Sequence, residues 1–297
     1  MLKGRANYLC LERLDQVIAQ GVLGDKSVLA ELSKVRKWNN STKTGDFTEC
    51  IELAEDSPII PQLTSTAESC LGTDCPNYSE CYVASARKKA LNADLVVVNH
   101  HLFFADMAVK ESGFGELIPN AEVIIFDEAH QLPDIASQYF GQSLTSRQLF
   151  DLCKDINIVY RTELKDMQQL STTSDTLLKV AQDFRLLLGN GSNVRGNWRE
   201  LYTQSAVKKA FELLQEKIDF LSEVIKLALG RSQTLDSIFE RVESIKIQLK
   251  RLSETNIVGY CYWYEGNGRQ FGLHITPLTV ADKFGAQLEA KEAAWIF

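Results

Sequence analysis

The sequence lacks the long apolar segment that a membrane-spanning helix requires. No run approaches the roughly 18 consecutive apolar residues that mark such a helix. The first residues, Met-Leu-Lys-Gly-Arg, also lack the apolar stretch of a secretory signal peptide. We therefore expect a cytoplasmic protein with no membrane partner, whose seven cysteines lie in a reducing compartment. Clustered cysteines in such a compartment favour a metal site over a disulfide framework.

The sequence also has no excess of positive charge. The formal net charge of the 297 residues is −7, so no overall basic field indicates nucleic-acid binding, and only a local basic patch would provide it. Hydrophobic residues make up 45% and charged residues 24% of the chain, which is typical of a soluble globular protein. This length suits one large domain or two ordinary domains.

A third absence concerns nucleotide binding. The motif Gly-x4-Gly-Lys-Ser/Thr, whose backbone and lysine surround nucleotide phosphates, occurs nowhere in the chain. We therefore expect these 297 residues by themselves not to hydrolyse ATP.

Three cysteines within twelve residues are the most specific local pattern. Cys70, Cys75 and Cys81 are separated by four and five residues in a loop that contains Gly, Pro and Asn. The tight Cys-x2-Cys pairs of structural zinc sites are absent, and a gap of four residues occurs in some iron–sulfur loops. Four thiolates suit either metal, so the spacing favours an iron–sulfur site without deciding it. Three unrelated thiols are the remaining alternative, although free cysteines are usually buried and scattered.

A fourth thiolate has two candidates upstream. Cys10 lies beside a predicted short helix, and Cys50 lies nearer in sequence but in a polar region. The entropy of loop closure grows only slowly with loop length, so distance along the chain does not separate them. The residue pattern leaves both open.

Short β-branched runs predict an α/β fold with a parallel sheet. They occupy residues 94–98 and 122–126, and the apolar run at residues 293–297 is interpreted as a third strand. The first is followed by Asn99, His100 and His101, and the second by Asp-Glu-Ala-His. Ligands of open α/β sheets bind beyond the carboxyl ends of the strands, so both polar clusters are candidates for a nucleotide site.

The Asp-Glu-Ala-His segment supplies side chains suited to phosphoryl transfer. Such a reaction needs a magnesium ion and a positioned water. Asp127 is suited to hold magnesium through water, Glu128 to polarise the attacking water, and His130 to report the nucleotide state. The alternative is a strand that ends in solvated charges.

Helical periodicity dominates the rest of the chain. Apolar residues repeat in steps of three and four from Leu235 to Leu252, which predicts a long helix packed on a partner such as residues 207–229. Residues 258–265 and 269–276 flank Gly-Asn-Gly and predict a hairpin. Shorter helices are predicted over residues 9–20, 26–38 and, after Cys81, to Leu91.

Basic residues lie close to the cysteines. Arg87, Lys88 and Lys89 follow Cys81 on a predicted helix, and Arg5 precedes Cys10. Such cations are suited to contact the phosphates of single-stranded DNA. A solvated helix face is the simpler alternative.

Together these motifs resemble the iron–sulfur branch of the superfamily 2 helicases, which includes the XPD/Rad3 and DinG proteins. Asp-Glu-Ala-His after a strand resembles the Walker B box of these enzymes. Residues 3–10, Lys-Gly-Arg-Ala-Asn-Tyr-Leu-Cys, resemble their sequence at the first cluster cysteine, and residues 93–102 resemble the strand before the box. The resemblance covers essentially the whole chain.

The resemblance implies part of a RecA-like motor domain with an inserted [4Fe–4S] domain and a mainly helical arch domain. The cluster domain would occupy residues 1–94, the motor domain 95–130 and 277–297, and the arch 131–276. It assigns Cys10, Cys70, Cys75 and Cys81 to the cluster and leaves Cys50 outside. The phosphate-binding loop would lie upstream of Met1 and the second motor domain downstream of Phe297.

The implied activity is an ATP-dependent 5′–3′ DNA helicase that acts in repair or replication. ATP, Mg2+, single-stranded DNA and forked duplex would be its ligands, and the DNA polymerase III chi subunit a partner. A different class of function is a redox-responsive iron–sulfur DNA-binding module without helicase activity.

Overall fold

A computed structural model describes residues 1–19, 26–66, 69–111, 118–189, 193–289 and 293–297. It divides into two compact units, one of residues 1–127 with 292–297 and one of residues 128–291. Helices combine with one parallel and one antiparallel sheet in the described residues, which confirms the mixed α/β class. None of the described helices is long and apolar enough to span a bilayer. The four predicted domain ranges stay a prediction.

The first unit begins with short helices around a small apolar core. Its helices are α1 Leu11–Ala19, α2 Lys26–Asn39, α3 Ile60–Leu63, α4 Tyr82–Leu91 and α5 His100–Glu111. The core contains Leu9, Leu14, Val35, Ile59 and Leu63, all at most 5% exposed. The predicted helices near residues 9–20, 26–38 and 82–91 are confirmed, although Gln20 lies outside the described residues.

Two distant segments of the first unit form a parallel strand pair. Strand β1, Val123–Ile125, pairs with the C-terminal strand Ala294–Ile296, with Ile124 opposite Trp295. Phe126 follows β1, is 5% exposed, and stacks on Trp295 with ring centroids 5.9 Å apart. Phe103 of α5 meets the Phe126 ring edge-on at 5.0 Å. The predicted strands at residues 122–126 and 293–297 are confirmed, and aromatic packing fixes where β1 ends.

The prediction of a strand at residues 94–98 is wrong. Residues 95–99 are not assigned to a strand, and Leu95 and Val97 are 81% and 51% exposed. The Val97 carbonyl accepts a hydrogen bond of 2.9 Å from the Leu2 backbone N–H, which is a single bond and no ladder. An apolar run becomes a strand only with a neighbour that pairs its backbone groups.

The second unit is a helical bundle on a four-stranded antiparallel sheet. Its long helices are α7 Ser146–Thr162, α8 Gln168–Leu187, α10 Ser205–Lys226 and α11 Gln233–Ser253, with shorter helices α6 Leu132–Tyr139, α9 Trp198–Tyr202 and α12 Ala281–Glu289. The predicted stripe of α11 from Leu235 to Leu252 is buried. It packs on α10, so the predicted helix pair is confirmed.

The sheet of the second unit has the strand order β2-β5-β4-β3. Its strands are β2 Gln142–Thr145, β3 Val194–Asn197, β4 Tyr260–Gly266 and β5 Phe271–Pro277, and the C-terminal strand Ala294–Ile296 of the first unit is β6. The hairpin β4–β5 confirms the sequence prediction. Strands β2 and β3 were not predicted, because each has four residues and a single aliphatic one, Leu144 or Val194, which is too short a pattern to indicate a strand.

A buried ion pair joins α7 to α11 inside the bundle. Arg241 Nη1 donates to Asp155 Oδ2 at 2.6 Å, and the two side chains are only 12% and 7% exposed. Removing one partner would leave the other charge buried, which is more costly than losing the pair as a whole.

We expect Arg241→Leu to lower the free energy of unfolding by about 3–5 kcal/mol. The double variant Asp155→Leu with Arg241→Leu should recover most of that loss, because no uncompensated charge remains. Urea denaturation followed by tryptophan fluorescence measures both. If the double variant had a lower free energy of unfolding than Arg241→Leu, the ion pair itself would stabilise the bundle, which would contradict this expectation.

Candidate functional site

Backbone hydrogen bonds hold Cys10 between two segments of the first unit. The N–H of Cys10 donates to the Leu63 carbonyl at 2.8 Å, and the N–H of Leu9 donates to the Gly45 carbonyl at 2.8 Å. The Cys10 carbonyl accepts from Leu14 at 2.9 Å and so starts α1. Cys10 is therefore fixed at the first turn of a helix.

The loop that carries the other three predicted ligands consists of two tight turns. Residues 72–74 and 78–80 are single turns of 3-10 helix, and Gly72 supplies the positive φ of +60° that the first turn needs. The N–H of Tyr78 donates to the Cys75 carbonyl at 2.9 Å. Cys81 then caps the N-terminus of α4. These turns make residues 70–81 compact, although the segment has neither a β-ladder nor an apolar core of its own.

Asn77 ties this loop to α1. Its Nδ2 donates to Glu12 Oε2 and to Asp15 Oδ2, each at 3.2 Å. Glu12 and Asp15 lie two and five residues after Cys10 in the sequence. The amide between Cys75 and Cys81 is thus bonded to the helix that Cys10 begins.

A second contact connects the other end of the loop, at Tyr82, to the residues around Cys10. The Tyr82 hydroxyl donates to Asn39 Oδ1 at 2.9 Å, and the Tyr82 ring lies against Gly45. Gly45 has a φ of +64°, and any Cβ at this position would overlap the ring. Because Gly45 also bonds Leu9, this contact brings the residues next to Cys81 and Cys10 together.

Burial and neighbouring groups shift the pKa values of two of the predicted ligands, Cys10 and Cys75. Burial raises the pKa of the Cys10 thiol, and Cys70 and Cys75 raise it further. Burial also raises the pKa of Cys75, as do Glu12, Cys70 and Cys81. Both shifts disfavour the thiolate, so a bound positive charge would favour deprotonation of Cys10 and Cys75.

Cys50 has a different environment. It is 3% exposed and belongs to the apolar core with Leu14 and Val35. Burial, followed by the Glu52 charge, raises the pKa of its thiol, and none of the other cysteines contributes. The structure brings Cys10 to the cysteine loop and places Cys50 in the core.

The four thiols do not converge as the ligands of one ion would. Within the described ranges, no three Cys, His, Asp or Glu side chains are placed to hold a single metal ion. A four-iron cluster bonds each thiolate to a different iron and so spaces its ligands more widely than a single tetrahedral zinc does.

The Asp-Glu-Ala-His segment follows the aromatic packing of β1. The N–H of Phe126 donates to the Ile296 carbonyl at 2.8 Å, and the next residue, Asp127, is exposed. Glu128 has a φ of 53° and a ψ of 44°, a left-handed conformation that costs free energy for a residue with a side chain. Its Oε2 lies 3.2 Å from His130 Nδ1. Both side chains are more than half exposed, so this contact contributes little stability.

The predicted basic residues differ in exposure. Lys88 and Lys89 are exposed on α4, whereas Arg87 and Arg5 are partly buried. The predicted polar cluster at residues 99–101 starts α5: the Asn99 side chain caps it by accepting from the Leu102 N–H at 2.8 Å, and His100 packs on Phe126.

Sequence reasoning missed Asn77, Gly45 and Tyr82, which bring the cysteines together. Each acts through a contact between residues that are distant in sequence. The one local signal was Gly45, because glycine favours a positive φ.

We expect Gly45→Ala to lower the free energy of unfolding by about 2–4 kcal/mol, because it adds backbone strain and an overlap with Tyr82. Gly72→Ala is the matched control, since Gly72 has a similar φ of +60° and no atom within 4 Å of an added Cβ. Urea denaturation of both variants isolates the ring contact. Equal losses would mean that Tyr82 places no constraint on Gly45.

Comparison with known proteins gives a family match and several relatives. Residues 14–149 match the DEAD_2 family model. The whole chain is 99% identical to part of the ATP-dependent DNA helicase YoaA of Haemophilus influenzae and 57% identical to part of the Escherichia coli YoaA helicase. The chain covers 46% of each, so it spans less than half the length of these relatives.

A more distant relative extends the same pattern. The ATP-dependent helicase DinG of Mycobacterium tuberculosis is 31% identical over 199 residues, which are 62% of this chain and 29% of that protein. The predicted resemblance is therefore confirmed: the chain carries a DEAD_2 match and is near-identical to part of a YoaA helicase.

Proposed function

We propose that the whole protein is an ATP-dependent DNA helicase that moves 5′–3′ along single-stranded DNA and unwinds forked duplex in repair or replication. The observation that carries this proposal is the Asp-Glu-Ala-His segment directly after a parallel strand. The names of the relatives support the same activity.

Three side chains would each have a separate role in ATP hydrolysis. Asp127 holds the magnesium ion through water, and Glu128 orients the attacking water and accepts its proton. His130, within contact of Glu128, couples that carboxylate to the DNA-dependent state of the enzyme. Bound magnesium neutralises charge on the transferred phosphoryl group.

Cys10, Cys70, Cys75 and Cys81 would hold a [4Fe–4S] cluster. The donor set fits in its chemistry, because four thiolates are the ligands of such a cluster and the contacts of Asn77 and Tyr82 hold the loop against the segment of Cys10. The cluster would supply a covalent link between the start of α1, the loop and the start of α4. That link would hold the element that separates the two DNA strands.

The DNA contacts follow from exposure and charge. Lys88 and Lys89 are exposed and suited to pair with phosphates, and Arg5 and Arg87 add to the same positive field. The DNA polymerase III chi subunit is proposed as a partner and the cytoplasm as the location, both from the resemblance. No residue here locates the chi interface.

We expect Glu128→Gln in the whole protein to lower DNA-stimulated ATP hydrolysis by about 10²–10⁴-fold, because the general base is lost. Binding of single-stranded DNA should persist. Glu122→Gln is the control, since it removes an exposed carboxylate at the start of β1. Steady-state phosphate release measures both, and an unchanged rate for Glu128→Gln would remove Glu128 from the reaction.

We expect Cys10→Ala and Cys75→Ser in the whole protein to abolish bound iron and unwinding. Cys50→Ala should keep both, because Cys50 lies in the apolar core. Iron and sulfide analysis with a fork-unwinding assay measures the outcome. Iron loss in Cys50→Ala alone, with iron kept in Cys10→Ala, would reverse the ligand assignment.

A further inference from the structure

The chain as a whole is acidic, but arginines are concentrated at one end of the antiparallel sheet in the second unit. A cleft of about 570 Å3 lies there, between the start of α7 and the hairpin β4–β5. Arg147, in the first turn of α7, and Arg195, on β3, both line this cleft. Their side chains are 61% and 71% exposed, so both guanidinium groups are accessible to a ligand.

Two more arginines are bonded to Asn267, which also lines the cleft. Arg185 Nη1 donates to the Asn267 carbonyl at 2.9 Å, and the backbone N–H of Arg269 donates to Asn267 Oδ1 at 2.8 Å. Arg269 is exposed in the turn of the hairpin. Four arginines therefore line the cleft or contact a residue that lines it.

Two carboxylates offset part of this positive charge. Glu265 Oε2 accepts from Arg195 Nη2 at 2.9 Å, and Asp151 Oδ2 lies 3.5 Å from Arg147 Nε. Both ion pairs are at the surface, where such pairs contribute little free energy, so a phosphate group can compete for either guanidinium. Among the four arginines and two carboxylates, positive charge is in excess.

An aromatic stack on the same sheet holds Arg195 in place. Its guanidinium carbon lies 4.6 Å from the centroid of the Trp263 ring. Trp263 also stacks on His274, with ring centroids 3.9 Å apart, and its Nε1 donates to Thr276 Oγ1 at 2.9 Å. Because β3 and β5 flank β4, Trp263 lies between Arg195 and His274. A guanidinium held over a fixed ring loses little conformational entropy when it binds an anion.

We propose that this cleft binds the phosphates of single-stranded DNA, with Arg147 and Arg195 as the phosphate-binding residues. The inference rests on the proposed function, which requires the protein to hold a single strand. Arginine suits this role because its guanidinium can direct two N–H groups at phosphate oxygens. The bond to Glu265 uses one N–H donor of Arg195, and a guanidinium has further donors for a phosphate. Trp263 is a positioning residue that acts through Arg195.

The test is binding of a fluorescent oligothymidylate to the whole protein at several salt concentrations, with the variants Arg195→Gln and Arg147→Gln. Each variant removes one positive charge from the cleft. We expect each to weaken binding about tenfold at low salt, because a charged hydrogen bond to the strand is lost. The slope of log affinity against log salt should fall by about 0.7, the contribution of one phosphate contact on a single strand.

Arg231→Gln is the matched control. Arg231 belongs to the same unit, its side chain is 44% exposed, and it also pairs with a carboxylate, Asp166 Oδ2 at 2.8 Å. It does not line the cleft. Its replacement removes the same charge from the protein, so the affinity and the salt slope should change much less than in the two cleft variants.

The positioning role of Trp263 is tested with Trp263→Leu and Trp263→Phe. The leucine variant removes the ring and keeps the Arg195 charge, so it should weaken binding less than Arg195→Gln does. Phenylalanine supplies a ring at this position and should restore most of the affinity. Equal affinities of Trp263→Leu and wild type would show that Trp263 does not position Arg195.

Inorganic pyrophosphate distinguishes a DNA strand from a free phosphate compound, which offers the same chemistry. Isothermal titration calorimetry measures its binding to wild type and to Arg195→Gln. If wild type bound pyrophosphate and Arg195→Gln did not, while both bound the oligothymidylate equally, the cleft would take a free phosphate compound. That result would contradict the assignment to DNA.

The outcomes also separate this inference from the proposed function. A wild-type protein that does not bind the oligothymidylate would contradict the proposed helicase. A wild-type protein that binds it with the affinity and salt slope of Arg147→Gln and Arg195→Gln would contradict only the role of the cleft. A loss of equal size in Arg231→Gln would show a general effect of charge and would also contradict that role.

Discussion

The return of the cysteine loop to the start of α1 is the constraint on which the candidate cluster site depends. Two ties produce it. Asn77 bonds Glu12 and Asp15, and the Tyr82 ring lies on Gly45, whose carbonyl holds Leu9. Neither contact involves a cysteine, so the loop is held against the start of α1 independently of a metal. Such preorganisation lowers the entropic cost of forming a site there.

The strand pair of the first unit is held by aromatic packing instead of side-chain hydrogen bonds. Phe126 ends β1 among Phe103, Trp295 and the paired strand β6, and the next residues leave the sheet as Asp127 and Glu128. The left-handed backbone of Glu128 stores strain at this point, which is common where a side chain must be aimed at a ligand.

Periodicity and spacing predicted the parts whose structure is set locally. Helices α10 and α11 follow from their apolar stripes, the hairpin β4–β5 from Gly-Asn-Gly, β1 from its β-branched run and β6 from its short apolar run. The run at residues 94–98 failed because a strand needs a pairing neighbour that its own residues do not encode. In the site, spacing identified Cys70, Cys75 and Cys81, and Asp127 to His130 were visible as a motif. The residue pattern left the fourth thiol open, because the bonds that hold the segment around Cys10 come from Gly45, Leu63 and Asn77, which are distant in sequence.

The central claim is that one metal cluster links Cys10 to the three loop cysteines. Native alkylation of the iron-loaded whole protein, with the labelled thiols located by mass spectrometry, tests it most directly. Exposed Cys261 should react at once, whereas Cys10, Cys70, Cys75 and Cys81 should stay protected and become reactive together when a chelator removes the iron. Cys50 should be protected in both states by the core. Immediate labelling of Cys10 in the iron-loaded protein, with exposure of Cys50 on iron removal, would contradict the account.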